Sequence, residues 1–309
     1  MAETRSETYS EPDISSFLKA RRAALDPADA GLPAGIRQRR VPGLRREEAA
    51  QLAGISVDYY TRIEQGRGRH ISDSVLDSIA RALRLNEAEH TYLRNVAEPV
   101  RRGPASAPPS PRVRPQIRML LDAMKDVPAY VYGHGMDVLA WNRLGGRISF
   151  DFDALPPAGR NMMRLVFLDP AAKALYGPHW ERNAEYLVGN LRASVGHRPD
   201  DPGIERLVGE LRERSALFRR FWESQNVAAQ CHGTKLLIHP VVGELALHYE
   251  TLLLPSDPDQ ILVTYTAEPG SPSADALRLL GAGASGASSS GSGAECTTAS
   301  PDTARVSAT

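Results

Sequence analysis

The sequence predicts a two-domain protein, with an all-α domain followed by an α+β domain. Apolar residues recur at helical spacing through residues 14–96, a proline-rich stretch follows, and residues 235–266 alternate apolar and polar side chains as strands do. The 309 residues suffice for two domains and a tail. We expect a flexible N-terminus at 1–12, an all-α domain at 13–98, a linker at 99–115, an α+β domain at 116–280 and a disordered tail at 281–309.

The most specific pattern in the first domain lies at residues 44–66. Apolar side chains form a stripe on a first helix, and Gly54 permits the tight turn that follows. Ser56 can then cap a second helix, whose Tyr60 and Ile63 face inward. This spacing predicts a helix-turn-helix, whose second helix can lie in the major groove of DNA.

We expect the outer face of this second helix to contact DNA bases. Arg62 is placed for a guanine contact, with a phosphate contact or a merely solvated side chain as the alternatives. Asp58 can accept from a cytosine amine or orient Arg62. Basic residues that flank the motif suit phosphates. The predicted DNA contacts are Arg45, Ser56, Val57, Asp58, Tyr59, Arg62, Arg67 and Arg69.

The distribution of charge supports DNA binding by one region of the chain rather than by the whole protein surface. The chain has 37 basic and 37 acidic residues, so it lacks the excess positive charge of a nucleic-acid coat. Between residues 19 and 69, however, eleven basic residues face six acidic ones. Phosphate contacts would be needed in this region.

Composition also favours a cytoplasmic protein without a membrane segment. No run of about eighteen apolar residues is present, and the N-terminus lacks the pattern of a secretory signal. There are only two cysteines, Cys231 and Cys296, so a disulfide framework is not expected.

The second domain is expected to hold a five-stranded antiparallel sheet with helices packed on one face. Apolar residues from Trp180 to Val195, spaced four, three, four and four apart, predict a long amphipathic helix. Sheets of this kind often enclose a small-molecule cavity against their helices. The predicted strands lie at 129–132, 138–141, 235–239, 244–254 and 260–266, and a last helix at 273–280.

We expect a carboxylate-bearing or similarly amphipathic ligand between this sheet and the long helix. Arg160 and Arg164 offer cations for a headgroup, although a surface or buried ion pair with an acid such as Asp151 or Asp153 is the alternative. Trp141 is either core or ligand-facing, and a fully packed domain without any cavity is the alternative to the whole site. The predicted ligand contacts are Trp141, Arg160, Arg164, Trp180, Leu187 and Leu191.

No catalytic or metal-binding pattern stands out, so we expect neither an enzyme nor a cofactor. Cys231 and His232 are adjacent, and neighbours in a strand point to opposite faces, which makes a poor nucleophile–base pair. His232, His239 and His248 do not have metal-site spacing.

A set of short motifs runs through the second domain. They are DVLAWN at 137–142, RN at 160–161 with Arg164, FLDP at 167–170, Tyr176 with WE at 180–181, LRA at 191–193, PDDP at 199–202, HP at 239–240 with VG at 242–243, PDQ at 258–260 and EPGS at 268–271. This domain resembles the ligand-binding domain of the MmyB-like transcription regulators, common in actinobacteria. Residues 45–66 and their flanking helices resemble the XRE family of lambda-repressor-like helix-turn-helix domains.

The resemblance implies a PAS-like sensor domain attached to a DNA-binding domain. It implies a structural ion pair between Arg22 and Glu64, with a role at the DNA as the alternative. It also implies a lipid-like or fatty-acid-like ligand, which is suspected for some relatives. We therefore expect a sequence-specific DNA-binding regulator, working as a homodimer on an operator and modulated by a small apolar or amphipathic ligand. The alternative is a DNA-binding regulator whose PAS-like domain only dimerises or contacts another protein.

Overall fold

The computed structural model describes residues 13–32, 43–68, 70–97, 112–197, 201–228 and 231–282. The predicted N-terminal segment, most of the linker, Arg69 and nearly all of the predicted tail lie outside the described residues. Within the described ranges, no helix combines the length and apolar character needed to cross a membrane.

The N-terminal part is all-α, as predicted. Its core buries Phe17, Leu18, Tyr60, Ile63 and Ile79 completely. Local signals set the helix ends: Asp13 accepts from the backbone amides of Ser15 and Ser16, which begins the first helix. The helices are α1 (Ile14–Ala24), α2 (Arg46–Ala53), α3 (Val57–Glu64), α4 (Asp73–Ala82) and α5 (Glu87–Ala97).

The C-terminal part is α+β and contains the predicted five-stranded antiparallel sheet. The strands are β1 (Ala129–Tyr132), β2 (Val138–Trp141), β3 (His232–His239), β4 (Gly243–Leu253) and β5 (Ile261–Thr266), in the order β2-β1-β5-β4-β3. The helices are α6 (Pro115–Ala123), α7 (Gly145–Ile148), α8 (Met162–Leu168), α9 (Ala171–Tyr176), α10 (Trp180–His197), α11 (Pro202–Arg214), α12 (Ala216–Glu223) and α13 (Pro272–Ala282).

Helices cover both faces of the sheet, which corrects the expectation of a single covered face. The main core joins α8 to α12 with the inward side chains of β1, β4 and β5, such as Tyr130 and Val263. On the opposite face, Ile117 and Leu121 of α6 pack against Val131 and Leu262. Because successive strand residues point to opposite faces, β1 and β5 supply both cores.

Candidate functional site

The turn between α2 and α3 has the geometry that its sequence predicts. Gly54 takes a left-handed conformation at φ 67°, which only glycine adopts without steric cost. The amide of Ile55 donates to the Ala50 carbonyl at 3.1 Å and closes the end of α2. Two residues later, the Ser56 hydroxyl accepts from the amide of Tyr59 at 3.2 Å and caps α3.

A buried carboxylate fixes α3 from its inner side. Glu64 is completely buried and accepts from Arg22 Nε at 2.7 Å and Nη2 at 3.1 Å, which is the ion pair that the resemblance implies. Arg46 Nε adds a further hydrogen bond at 2.7 Å. Burial by itself would raise the pKa of Glu64, but the hydrogen bonds from Arg22 and Arg46 hold that pKa below its ordinary value. The carboxylate is therefore charged at neutral pH and ties α1, α2 and α3 together.

The opposite face of α3 is open to solvent. Asp58 and Arg62 are exposed, and Val57 keeps 45% of its surface exposed despite being apolar. Tyr59 lies half-buried against the core, so only part of its ring is available to a partner. With respect to the described residues, neither Asp58 nor Arg62 makes a side-chain hydrogen bond or ion pair. Both are therefore free to contact a partner.

Exposed basic residues precede α2 and follow α3. Arg45 precedes α2, is exposed, and lies 3.5 Å from the Glu47 carboxylate. Arg67 is exposed just beyond α3, after Gly66 at φ 70°. Arg69, which with Arg67 is predicted to contact phosphates, lies outside the described residues.

A cavity of about 480 Å³ lies between the inner sheet face and α10. This is within the usual range for small-molecule sites. Its floor comes from β1, β3, β4 and β5, and its roof comes from α10. The lining residues are Tyr132, Gly133, His134, Met136, Met162, Tyr186, Leu187, Asn190, Ala193, Ser194, Ala228, Cys231, Lys235, Tyr249, Thr251, Leu253, Pro258, Asp259, Ile261, Val263 and Tyr265.

Lys235 places a cation in this largely apolar and aromatic lining. It is paired with Leu247 across the β3–β4 ladder and is in phase with Leu237, so its side chain points inward. Its Nζ lies 5.6 Å from the centroid of the Tyr176 ring. Burial lowers the pKa of Lys235 to about 8, so the amine is mostly charged at neutral pH yet poorly solvated.

The predicted headgroup partners are engaged elsewhere. Arg160 Nε donates to the carbonyls of Phe152 at 2.8 Å and Leu155 at 3.0 Å. Arg164 forms an ion pair, which was the alternative, but its partner at 2.8 Å is Glu210 and not Asp151 or Asp153. Neither arginine is among the residues lining the cavity. Lys235, which was not among the predicted ligand contacts, brings a cation to the cavity instead.

Of the predicted apolar ligand contacts, the structure brings Leu187 to the cavity and not the other three. Trp141 lies beneath the Arg160 guanidinium, with 5.1 Å from Cζ to the ring centroid. Trp180 donates from Nε1 to the Val166 carbonyl at 3.0 Å, and Leu191 is completely buried in the main core. None of these three side chains is among the residues that line the cavity.

The described residues contain no group of three or more histidine, cysteine or acidic side chains placed to hold a metal ion. Cys231 is exposed, lines the cavity and forms no disulfide within the described part of the chain.

Comparison with family models gives two matches. Residues 13–93 match a helix-turn-helix domain, and residues 113–280 match the MmyB-like transcription regulator ligand binding domain. Neither description is that of an enzyme. No curated protein matches the chain significantly. The second match covers more than half of the 309 residues. The chain therefore belongs to the MmyB-like transcription regulator family and carries a helix-turn-helix domain in front of its ligand-binding domain.

Proposed function

We propose that this chain is a sequence-specific transcription regulator of the XRE type that binds operator DNA in the cytoplasm through α3. The observation that supports the proposal most directly is that Asp58 and Arg62, on the outer face of α3, are exposed and make no side-chain ion pair with the described residues. On the inner face of the same helix, Glu64 is held by ion pairs with Arg22 and Arg46. A rigid helix with free polar side chains is what base reading in the major groove requires.

Within this proposal, Arg62 contacts a base and the flanking arginines contact phosphates. Arg62 lies at the C-terminal end of α3 on the exposed face, where its guanidinium can reach both acceptors of a guanine. Ser56, Val57, Asp58 and Tyr59 begin the same helix beside it. Arg45 precedes α2 and Arg67 follows α3, and phosphate contacts from such flanking positions fix register without reading sequence.

Two single substitutions separate base reading from phosphate binding. Arg62→Ala should weaken binding to a preferred duplex by about 1–3 kcal/mol and relax the preference at one base position. Arg67→Ala should weaken preferred and unrelated duplexes alike and reduce the salt dependence. Fluorescence anisotropy with both duplexes at several salt concentrations measures this. An unchanged ratio of specific to nonspecific affinity in Arg62→Ala would show that Arg62 does not read a base.

We propose that two copies act together on DNA. One recognition helix covers only a few base pairs, so useful specificity calls for two half-sites and a two-fold dimer. Analytical ultracentrifugation of the full chain with a long duplex should give two chains per operator. A strict one-to-one complex on every selected duplex would contradict the dimer.

We also propose that a small amphipathic ligand, similar to a fatty acid, occupies the cavity and modulates DNA binding. Its apolar part would lie against side chains such as Leu187, Ile261 and Val263, where each buried methylene contributes about 0.8 kcal/mol. Its anionic group would pair with the Lys235 amine, which lies on the inner face of β3 and lines the cavity. No dedicated cofactor is needed for this role.

Native mass spectrometry of the purified full chain tests the ligand. We expect an adduct that organic extraction removes, and an unfolding midpoint that rises with added dodecanoate in a concentration-dependent way. Absence of any adduct, together with no shift from fatty acids of several lengths, would leave the domain as a dimerisation or protein-contact module.

A further inference from the structure

A short connection between α12 and β3 lies between the two domains. Arg21 of α1 donates from Nη2 to the Ser224 carbonyl at 2.9 Å and to Asn226 Oδ1 at 2.7 Å. The other terminal nitrogen of Arg21 pairs with Glu89 at 2.6 Å. Residues 224–228 are thus held to the DNA-binding domain by a partly buried cation that also joins α1 to α5.

Two consecutive residues in this connection face different parts of the molecule. Val227 is 6% exposed and belongs to the core of the DNA-binding domain, although it is contributed by the C-terminal half of the chain. The next residue, Ala228, lines the ligand cavity. A shift of this backbone therefore changes the cavity wall and the DNA-binding core together.

The helix α10 presents a small-residue face to the same region. A Cβ added at Gly189 would lie 2.7 Å from the Ala228 Cβ, and one added at Gly196 would lie 2.5 Å from Tyr92 Cδ2 of α5. Between them, Ala193 packs against the DNA-binding core and also lines the cavity. These contacts are close-packed, so a displacement of Ala228 at Gly189 is transmitted along α10 to Tyr92 at Gly196.

Arg192 of α10 binds the residues at the start of the connection that follows α12. Its guanidinium is buried, donates to Gln225 Oε1 at 2.6 Å and to the Trp222 carbonyl, and lies 4.0 Å from the Trp222 ring centroid. Residues 222–228 are consequently fixed by α10 on one side and by Arg21 on the other.

We propose that residues 224–228 and the Gly189–Ala193–Gly196 face of α10 form a joint that couples the cavity to the DNA-binding domain. We call this set the joint. A ligand that fills the cavity contacts Ala193 and Ala228. It thereby stabilises the arrangement, here called docked, in which Val227 is buried in the DNA-binding core and Tyr92 packs against Gly196. By linkage, docking strengthens ligand binding by the same factor. The proposal rests on the proposed ligand function of the cavity.

Docking through the joint leaves the recognition helix uncovered. The joint contacts α1 and α5, whereas the outer face of α3 remains exposed with Asp58 and Arg62 in solvent. The ligand would therefore act by fixing the position of the DNA-binding domain, not by blocking its DNA contacts.

The substitution Gly196→Ala tests the joint in the full chain. The added methyl meets the Tyr92 ring and should force α5 away from α10, while alanine favours the helix itself. Gly196 does not line the cavity, so a direct effect on ligand contacts is avoided. With dodecanoate as the probe, we expect calorimetry to show at least about a fivefold loss of affinity, and hydrogen exchange in α5 to accelerate.

Gly209→Ala is the matched control, because Gly209 is a helical glycine whose added Cβ would meet nothing within 4 Å. It should keep the affinity and exchange rates of the unmodified chain. A second variant, Asn226→Ala, removes an acceptor of Arg21 and should act in the same direction as Gly196→Ala.

The outcomes are distinguishable. Equal dodecanoate affinity and equal α5 protection in Gly196→Ala, Asn226→Ala and the control would overturn the joint while leaving the ligand site intact. Absence of dodecanoate binding to the unmodified chain would overturn the joint together with its proposed fatty-acid-like ligand. Loss of affinity in both joint variants but not in Gly209→Ala would support the coupling.

Discussion

Replacing Glu64 with glutamine is expected to lower the free energy of unfolding of the DNA-binding domain by about 3 kcal/mol. Breaking a buried ion pair by removing one partner typically costs about 3–5 kcal/mol. The lower end of this range applies here because the side chain of Arg46 is 46% exposed, so water can solvate its charge once Glu64 is replaced. Glu64 itself is completely buried, so the guanidinium of Arg22 would lose its anion in a poorly solvated site.

Loss of DNA binding should accompany this destabilisation, since Glu64 ties α3 to α1 and α2. Hydrogen exchange of α3 in urea measures the stability, and Glu47→Gln is the control. Glu47 forms only an exposed pair with Arg45, so its replacement should change stability by less than about 0.5 kcal/mol. Equal exchange rates in the two variants would show that the buried carboxylate does not anchor the recognition helix.

Acid should reproduce part of the Glu64 effect. A carboxylate with a depressed pKa stabilises the fold above its unfolded-state pKa, and that stability is lost as pH falls through the folded-state pKa. The domain should therefore become less stable as the pH falls below about 4.5, which is the ordinary pKa of a glutamate side chain. In Glu64→Gln this part of the acid dependence should be missing.

Replacing Lys235 with methionine should weaken dodecanoate binding by about 1.5–3 kcal/mol, or roughly 10- to 150-fold in Kd. Methionine fills a similar volume but leaves the ligand carboxylate without a cation inside an apolar cavity. Calorimetry on the full chain measures the loss. Lys125→Met is the matched control, because Lys125 is exposed and is not among the cavity-lining residues.

The pH dependence of dodecanoate binding provides a second readout for Lys235. Its lowered pKa of about 8 means that the amine is charged below that pH and neutral above it. Affinity should therefore be nearly constant up to neutral pH and fall as pH rises through about 8. His134 and Asp259 also line the cavity, so the profile of Lys235→Met is needed for assignment. A fall of equal steepness in that variant would exclude Lys235 as the anchor.

Local sequence was sufficient for the elements and for the helix-turn-helix, because their signals are short-range. Gly54 and Ser56 act within one turn of their own positions, and the alternation of β4 reflects its own two faces. The side chain of Lys235 could have been assigned in the same way, since it is in phase with Leu237.

Partners that are distant in sequence could not be predicted in this way. Arg164 meets Glu210, which is 46 positions away, and no local pattern selects that acid over Asp151. Similarly, the burial of Val227 in the core of the other domain depends on how α10 packs against α5, which periodicity does not encode. The packing of α6 on the second face of the sheet could not be predicted either. The apolar stripe of α6 shows that one side of the helix is buried, but not against which face of the sheet.

Selection from a random pool of double-stranded DNA with the full chain tests the central claim, sequence-specific recognition through α3, most directly. We expect repeated rounds to enrich one short motif, and the same selection with Arg62→Ala to lose the preference at one position of that motif while keeping the others. Retention of DNA without enrichment of any motif, or an identical motif from both chains, would contradict base reading by this helix.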